Sequence, residues 1–239
     1  MSSDLLRRAV VAACLCLGAS ISVGSANSLS VTSQSLTPYR TCTLTATPST
    51  TTVVADTTAR QSVPNTTGAA LTTLVVSSSG VANQRVYVQF DLTQCLPAIP
   101  TSATVRLATL RLYATGLPTL CRTIDLFPAT TAWTESLLTW NNQPFGTAIN
   151  NPASGSRTGT FNIGTPAGCQ NLAAGAYIVG GTVTSDVASF VSGGATNLGW
   201  MLRDDVEASA TARTSTFASK NAGVVAQAPQ LVITYVTVP

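Results

Sequence analysis

The chain of 239 residues contains no histidine, and only 9% of its residues are charged. It therefore lacks the usual general base of serine-type triads and the commonest nitrogen ligand of metal sites. Glutamate occurs twice and lysine once, whereas threonine occurs 38 times, so strong helix formers are scarce and β-branched residues are abundant. The chain is 45% hydrophobic, which is more than a disordered segment carries. This composition predicts a folded, all-β protein.

The basic residues do not form a cluster. Eleven of the twelve are arginines scattered along the chain, and the exception is Lys220. A nucleic-acid-binding domain ordinarily concentrates its basic residues in a stripe or patch. We therefore expect no nucleic-acid partner.

The N-terminal 26 residues have the three parts of an export signal. Arg7 and Arg8 precede an apolar run at residues 9–19, and small residues follow up to Ala26, where a signal peptidase would cleave. The apolar run is too short to cross a membrane, which takes about 20 residues. We expect a mature protein without a membrane span, secreted or associated with the cell wall.

Export leaves an even number of cysteines in an oxidising compartment, which predicts two disulfides with three possible pairings. Cys95 and Cys121 each lie at the border of a predicted strand, so we favour a bridge between them. Such a bridge would add about 3 kcal/mol of stability by restricting the unfolded chain. The four cysteines are Cys42, Cys95, Cys121 and Cys169.

Short β-branched runs between Gly, Pro and Asn residues extend through residues 53–239 and predict one β-sandwich or jelly roll. Residues 85–92 and 108–113 alternate most clearly between apolar and polar side chains. Residues 27–52 are rich in Ser and Thr and form either a linker or a first strand near Cys42. One short helix is expected at Ser185 to Val191, capped by Ser185 or Asp186 and ended by Gly193.

The outward positions of the two clearest strands suggest a ligand-binding surface. Aromatic rings stack on sugar rings, and the arginine fork binds hydroxyl or carboxylate groups. If the two strands share a sheet, these side chains form one polar and aromatic patch; the alternative is an ordinary solvated sheet face. The candidate residues are Arg85, Tyr87 and Gln89 on the first strand, and Thr109, Arg111 and Tyr113 on the second.

The densest acidic group is a candidate calcium site. Asp204, Asp205 and Glu207 supply carboxylate oxygens of the kind that Ca²⁺ prefers, although their spacing does not match an EF-hand loop. The alternative is a solvated turn. We expect no other cofactor.

A carboxylate-dependent glycan-active enzyme is a further alternative. Glu135 is its best candidate acid, because Trp133 and Trp140 lie nearby in sequence, yet a loop that packs its tryptophans on the core explains the same residues. Trp200 is expected in the core. No carboxyl group is evident beside Lys220, so no intramolecular amide crosslink is expected. The sequence contains no G-x-S-x-G motif, and we expect no enzyme.

Several segments, taken in order, resemble the DNRLRE-type (disaggregatase-related) domain family of secreted proteins. The resemblance covers residues 53–235 and implies a single β-sandwich; some members serve as carbohydrate-binding modules for acidic polysaccharide. The four cysteines and the Ser/Thr-rich lead are not general family features, and we expect no catalytic domain to accompany the module. The segments are Ala55-Asp56, Pro64-Asn65 to Gly68, Tyr87 to Leu92, Ala108 to Tyr113, Trp133 to Glu135, Leu138 to Pro144, Asp186-Val187, Asn197 to Trp200, Phe217 to Lys220 and Pro229 to Tyr235.

The composition and the resemblance together predict a secreted, non-catalytic module that binds an extracellular polysaccharide or cell-wall glycan. The alternative is a structural or adhesive envelope protein that self-associates or contacts other proteins.

Overall fold

The computed structural model describes residues 20–23, 29–32, 38–47, 51–178 and 180–237. The chain divides into two compact units, Met1–Pro38 and Tyr39–Pro239. In the first unit, β1 (Ser20–Val23) pairs antiparallel with β2 (Leu29–Thr32). Most of the expected export signal, namely residues 1–19 and 24–26, lies outside the described residues. Its cleavage therefore stays a prediction.

The described residues of the second unit form two antiparallel sheets and one short helix, which confirms the predicted β-sandwich. The small sheet has the order β12-β7-β15-β3 and contains β3 (Arg40–Thr45), β7 (Thr104–Arg111), β12 (Gly181–Thr182) and β15 (Gln230–Val236). The large sheet contains β4 (Val54–Arg60), β5 (Thr73–Ser78), β6 (Gln84–Phe90), β8 (Tyr113–Gly116), β9 (Arg122–Pro128), β10 (Gly159–Ile163), β11 (Ala176–Tyr177), β13 (Trp200–Asp204) and β14 (Arg213–Ala218).

The large sheet has the strand order β10-β9-β13-β6-β5-β14-β8-β11, with β4 paired to β6 as well. The chain changes sheet at Leu112, because β7 belongs to the small sheet and β8, which follows it directly, to the large one. Such corner segments join the two layers of a sandwich. The alternation predicted across residues 108–113 therefore spans two strands.

The inner faces of the two sheets bury one hydrophobic core, which includes Val88, Leu110, Trp200 and Ile233. A second, smaller cluster lies on the other face of the large sheet. Residues 129–158, here called the covering loop, join β9 to β10 and cover this face. The cluster consists of Ala59, Tyr87, Phe127, Leu138, Trp140 and Met201, with Trp133 and Phe145 packed against it. The large sheet is therefore buried on both faces around β6.

Helix α1 (Thr184–Ser192) occupies the predicted position and ends, as expected, at Gly193 with a φ of 76°. The predicted caps are wrong, because Val183 precedes the helix and no side chain caps it. The Asp186 carboxylate instead accepts a hydrogen bond of 2.7 Å from the indole N–H of Trp200. Trp200 is fully buried, as predicted. Four short 3-10 segments lie at Thr51–Val53, Leu92–Gln94, Ser154–Ser156 and Val225–Gln227.

Two disulfides form, but the favoured pairing is wrong. The bridges join Cys42 to Cys95 and Cys121 to Cys169. Cys95 follows β6 and Cys121 precedes β9, and both strands pair antiparallel with β13, which lies between them. The strands β6 and β9 consequently run parallel, so the end of β6 and the start of β9 lie at opposite ends of the sheet.

The sandwich begins before the predicted boundary at residue 53. Strand β3 runs from Arg40 to Thr45 and pairs with β15 along its whole length. The structure therefore confirms the strand interpretation of the region around Cys42. Within the described residues, no helix is long and apolar enough to cross a membrane.

Candidate functional site

The predicted patch on β6 is covered by protein. Arg85 and Tyr87 are both fully buried beneath the covering loop. The Arg85 guanidinium lies 4.7 Å from the Trp140 ring and donates two hydrogen bonds of 2.7 Å to the Glu207 carboxylate. It also donates to the backbone oxygens of Gly146 and Ala148, at 2.9 and 2.6 Å. The expectation that Arg85 faces solvent is therefore wrong.

Tyr87 is held in the same buried layer. Its hydroxyl donates a hydrogen bond of 3.0 Å to Gln143, and its ring packs edge-on against Trp133. Burial is the main reason that the pKa of Tyr87 is raised. The Trp133 indole donates to the Leu198 carbonyl at 2.8 Å, and Trp140 is buried, so both tryptophans pack as predicted. Tyr87 has no surface left for a ligand.

The two predicted halves of the patch do not meet. Strand β6 belongs to the large sheet, whereas Arg111 ends β7 in the small sheet. Tyr113 begins β8, which β5 and β14 separate from β6. The alternation correctly assigned the two faces of each strand, but the strands are not neighbours.

The expected calcium ligands are divided between arginines. Glu207 pairs with Arg85, whereas Asp204 and Asp205 both pair with Arg122. In the chain that the structure describes, no three acidic, cysteine or histidine side chains form a group that could hold a metal ion. The prediction that Asp204, Asp205 and Glu207 share one ion is therefore wrong, because guanidinium groups supply the positive charge.

Glu135, the candidate catalytic acid, is an ion-pair partner of Lys220. The nearby Asp56 is only 1% exposed, so its carboxylate does not reach a surface that a polysaccharide could contact. A cleft of about 440 Å³ lies where β4, β6 and α1 meet. Asp91 is its one lining carboxylate, and hydrogen bonds from Thr93 are the main cause of its lowered pKa. A pair of catalytic acids does not line this cleft.

Gln89 is the one predicted residue of β6 that reaches this cleft. Its side-chain amide donates a hydrogen bond of 2.8 Å to the Asn197 carbonyl, and Asn197 donates in turn to the Phe90 carbonyl. These bonds fix the wall of the cleft. Its remaining polar lining comes from Thr52, Asp91 and Thr93.

The outward surface of the small sheet, here called the outer face, is rich in hydroxyl groups. Strand register sets its side chains in rows across β3, β15 and β7, such as Thr45, Gln230 and Arg111. The side chains that alternate outward are all partly or fully exposed, and only Arg111 is charged. They are Thr41, Thr43 and Thr45 on β3, Gln230, Val232 and Thr234 on β15, Leu107, Thr109 and Arg111 on β7, and Thr182 on β12.

The small sheet also concentrates positive charge. Its four strands contain Arg40, Arg106 and Arg111 and no acidic residue. Among the described residues, none of these three arginines takes part in an ion pair, whereas five arginines elsewhere do. Arg40 and Arg106 are exposed and lie at the end of the sheet opposite to Arg111.

Two tyrosines adjoin Arg111. Tyr113 and Tyr177 face each other across β8 and β11, with ring centroids 5.5 Å apart in an edge-on arrangement. The Arg111 guanidinium lies 4.6 Å from the centre of the Tyr177 ring. The Tyr177 hydroxyl lies 2.9 Å from each of the carbonyl oxygens of Ala226 and Ala228 and donates to them, which fixes the ring. Burial is the main cause of the raised pKa of Tyr177, and the charge of Arg111 acts against it.

Arg111, Tyr113 and Tyr177 together form a half-exposed site, here called the tyrosine site. It offers an aromatic surface for the apolar face of a sugar and a guanidinium for its hydroxyl or carboxylate groups. Arg111 and Tyr113 were predicted from the sequence as ligand-binding residues, but Tyr177 was not. The two-residue strand β11 is too short to produce a recognisable alternation.

Comparison with known proteins agrees with this description. No curated protein matches the chain. A family model described as carbohydrate-binding module family 96 matches residues 47–235. This is the DNRLRE-related family that the order of the sequence segments resembles. The match runs from before β4 into β15 and takes in the tyrosine site. The chain therefore belongs to carbohydrate-binding module family 96.

Proposed function

We propose that this protein is a secreted, non-catalytic module that binds an acidic polysaccharide along the outer face, with the tyrosine site at one end. The family assigns carbohydrate ligands in general. The observation that carries the finer proposal is Arg111 on the outer face, beside two tyrosine rings. Its sheet contains three arginines and no acidic residue in its strands, and among the described residues these arginines form no ion pair.

The spacing of these arginines favours an extended ligand. Arg111 pairs with Gln230, whereas Arg40 pairs with Tyr235. Five residues along β15 correspond to about 16 Å at the rise of an antiparallel strand. A linear polyanion lying along the outer face would meet the Arg111 guanidinium at one end and threonine hydroxyls along the strands. Arg40 shares the alternation of the buried Cys42 and Leu44, so it adds positive charge at the far end of the sheet rather than on the outer face itself. Arginine binds carboxylates in a bidentate manner, which suits uronic acids.

The ligand class is tested by affinity electrophoresis of the exported protein in gels that contain a polyuronate or a neutral glucan. We expect retardation by the polyuronate. Arg111→Ala should weaken binding about tenfold, the usual loss for a charge-assisted contact, with little change in thermal stability. Tyr177→Ala should weaken binding by about as much through loss of a stacked ring, and it should also lower thermal stability because the Tyr177 hydroxyl binds two backbone carbonyls. Arg157→Gln, which removes one exposed charge outside the small sheet, is the matched control and should bind normally.

Two results would overturn the proposal. Equal retardation of Arg111→Ala and the unaltered protein would exclude the tyrosine site. Absence of retardation in any gel, accompanied by self-association in sedimentation, would favour the alternative of an adhesive or structural envelope protein.

Secretion rests on different features of the chain. Two disulfides and membership of a carbohydrate-binding family are consistent with an extracellular protein. We propose that residues 1–26 are removed during export. N-terminal sequencing of the exported protein should begin at Asn27, and recovery of the intact N-terminus from the medium would contradict this.

A further inference from the structure

Lys220, the only lysine of the chain, lies immediately after β14 against the base of the covering loop. Its Nζ contacts the Glu135 carboxylate and donates a hydrogen bond of 2.9 Å to the Val54 carbonyl. The Lys220 and Glu135 side chains are only 12% and 20% exposed. The sequence showed no carboxyl group beside this lysine, and the structure places one in direct contact with it.

A second carboxyl group adjoins the pair. Asp56 is 1% exposed and accepts hydrogen bonds from the Ser219 hydroxyl at 2.9 Å and from the Lys220 backbone N–H at 2.8 Å. Burial, aided by the charge of Glu135, raises the pKa of Asp56 to about 6. A carboxyl group with such a pKa exchanges protons readily near neutral pH.

The backbone holds both reacting residues in place. The Glu135 carbonyl accepts a hydrogen bond of 3.1 Å from the Thr67 hydroxyl, and Asp56 fixes the Lys220 backbone. An amine and a carboxyl group fixed in contact, away from bulk water, react as though each were present at a very high concentration. The same two groups in free solution would remain a solvated ion pair.

We propose that Lys220 and Glu135 become joined by an intramolecular amide bond. The Lys220 amine, after losing a proton, attacks Cδ of Glu135; the new bond is Nζ–Cδ, a Cδ–O bond breaks, and one water leaves. No oxidation or reduction occurs and no other reactant is consumed. Asp56 takes up two protons from the Lys220 nitrogen, one before and one after the attack, and passes each to the departing oxygen, which leaves as water.

The bond would give the covering loop a covalent attachment that the disulfides do not provide. Lys220 and Glu135 are 85 residues apart in sequence. Glu135 lies within the Cys121–Cys169 segment and Lys220 lies outside both disulfide-closed segments, so neither disulfide connects them. The amide would fasten the loop over Arg85 and Tyr87 to the end of β14. This inference is independent of the glycan proposal.

Because the chain has one lysine, a lysine-specific endoprotease gives a direct test. One portion of the purified protein is reduced and its intact mass is measured by mass spectrometry. A second portion is reduced, denatured and digested with the endoprotease. We expect a mass one water below that of the reduced chain and resistance to cleavage after Lys220. Fragmentation of a tryptic digest should show a branched peptide joining the segments around Glu135 and Lys220.

Three variants distinguish an amide bond between Lys220 and Glu135 from a simple ion pair. Lys220→Arg keeps the charge but offers a poor nucleophile, and Glu135→Ala removes the acceptor; both should have the full mass. Glu135→Ala should also be cut once, after Lys220. Asp56→Asn should accumulate the uncrosslinked form. Unaltered protein that has the full mass and is cut after Lys220, or a water loss that maps to other residues, would overturn the proposal.

Discussion

At the scale of single residues, a buried ion pair between Arg85 and Glu207 connects separate parts of the chain. The Arg85–Glu207 pair has no exposed side-chain surface, and Glu207 also accepts a hydrogen bond from the Asn150 backbone N–H. The pair joins β6 to the segment after β13 and to the covering loop. Because the covering loop buries this pair, Arg85 is not exposed to solvent although it points away from the core between the sheets.

Breaking this pair should be costly. Glu207→Gln leaves the buried Arg85 guanidinium without its counter-charge, and we expect a loss of about 3–5 kcal/mol in the free energy of unfolding, measured with urea. Asp205→Asn is a suitable control, because its side chain is 33% exposed and its ion pair is expected to contribute at most about 1 kcal/mol. Equal stability of Glu207→Gln and the unaltered protein would contradict this interpretation.

Asp56 predicts a pH dependence of stability. Its folded-state pKa of about 6 lies above the ordinary 3.8, so the folded protein binds the extra proton between these values. The resulting stabilisation is complete below the ordinary pKa and is lost as pH rises through the folded one. Relative to Asp56→Asn, the unaltered protein should lose about 2–3 kcal/mol between pH 4 and pH 7.

The measurement is urea unfolding of both proteins at the two pH values. Asp91→Asn provides a control of opposite sign, since the pKa of Asp91 is lowered by hydrogen bonds from Thr93 and its contribution is lost as pH falls. A pH-independent difference between Asp56→Asn and the unaltered protein would show that burial of Asp56 does not govern the dependence.

At the scale of elements, the start of β13 depends on a close approach between the Gly199 backbone and the Val88 carbonyl on β6. Gly199 precedes β13 with a φ of 71°, and a Cβ atom there would lie 2.2 Å from the Val88 carbonyl oxygen. The residue therefore needs both a left-handed backbone and the absence of a side chain. This contact lets β13 enter the sheet between β6 and β9.

Gly199→Ala should therefore destabilise the protein by about 3–4 kcal/mol, the sum of backbone strain and steric overlap. Gly223→Ala is the matched control, because its φ is 74° but no atom lies within 4 Å of the added Cβ. That variant should lose only about 1–2 kcal/mol. Thermal or urea unfolding distinguishes the two, and equal losses would exclude a role for the contact with Val88.

At the scale of the whole molecule, charge is segregated between the sheets. Among the residues that the structure describes, the ion pairs lie in the large sheet and its loops, whereas Arg40, Arg106 and Arg111 of the small sheet form none. A formal net charge of only +3 for the full chain conceals this asymmetry. A local cationic surface attracts polyanions even when the net charge is small.

Binding of a polyuronate should therefore weaken with salt. Between 0.05 and 0.5 M NaCl we expect affinity to fall by roughly tenfold or more, because exposed charges are screened within a few ångströms at high salt. Arg111→Ala should show a shallower dependence than the unaltered protein, measured by titration calorimetry at several salt concentrations. A salt-independent affinity would indicate that neutral sugar groups, rather than carboxylates, make the contacts.

The sequence alone determined the fold class and the local elements of this protein. Abundant threonine, scarce helix formers and alternating strands predicted a β-sandwich, the position of α1 and the inward packing of Trp200, because local periodicity follows from backbone geometry. The sequence also placed Arg111 and Tyr113 among the candidate binding residues. Four cysteines in a predicted exported chain were enough to predict two disulfides.

Only the tertiary structure decided which surfaces meet. It placed β13 between β6 and β9, which changed the disulfide pairing, and laid the covering loop over Arg85 and Tyr87. It also brought Tyr177 to Arg111 and Glu135 to Lys220. Periodicity reports the two faces of a strand, but neighbouring strands and covering loops depend on contacts between residues far apart in the chain.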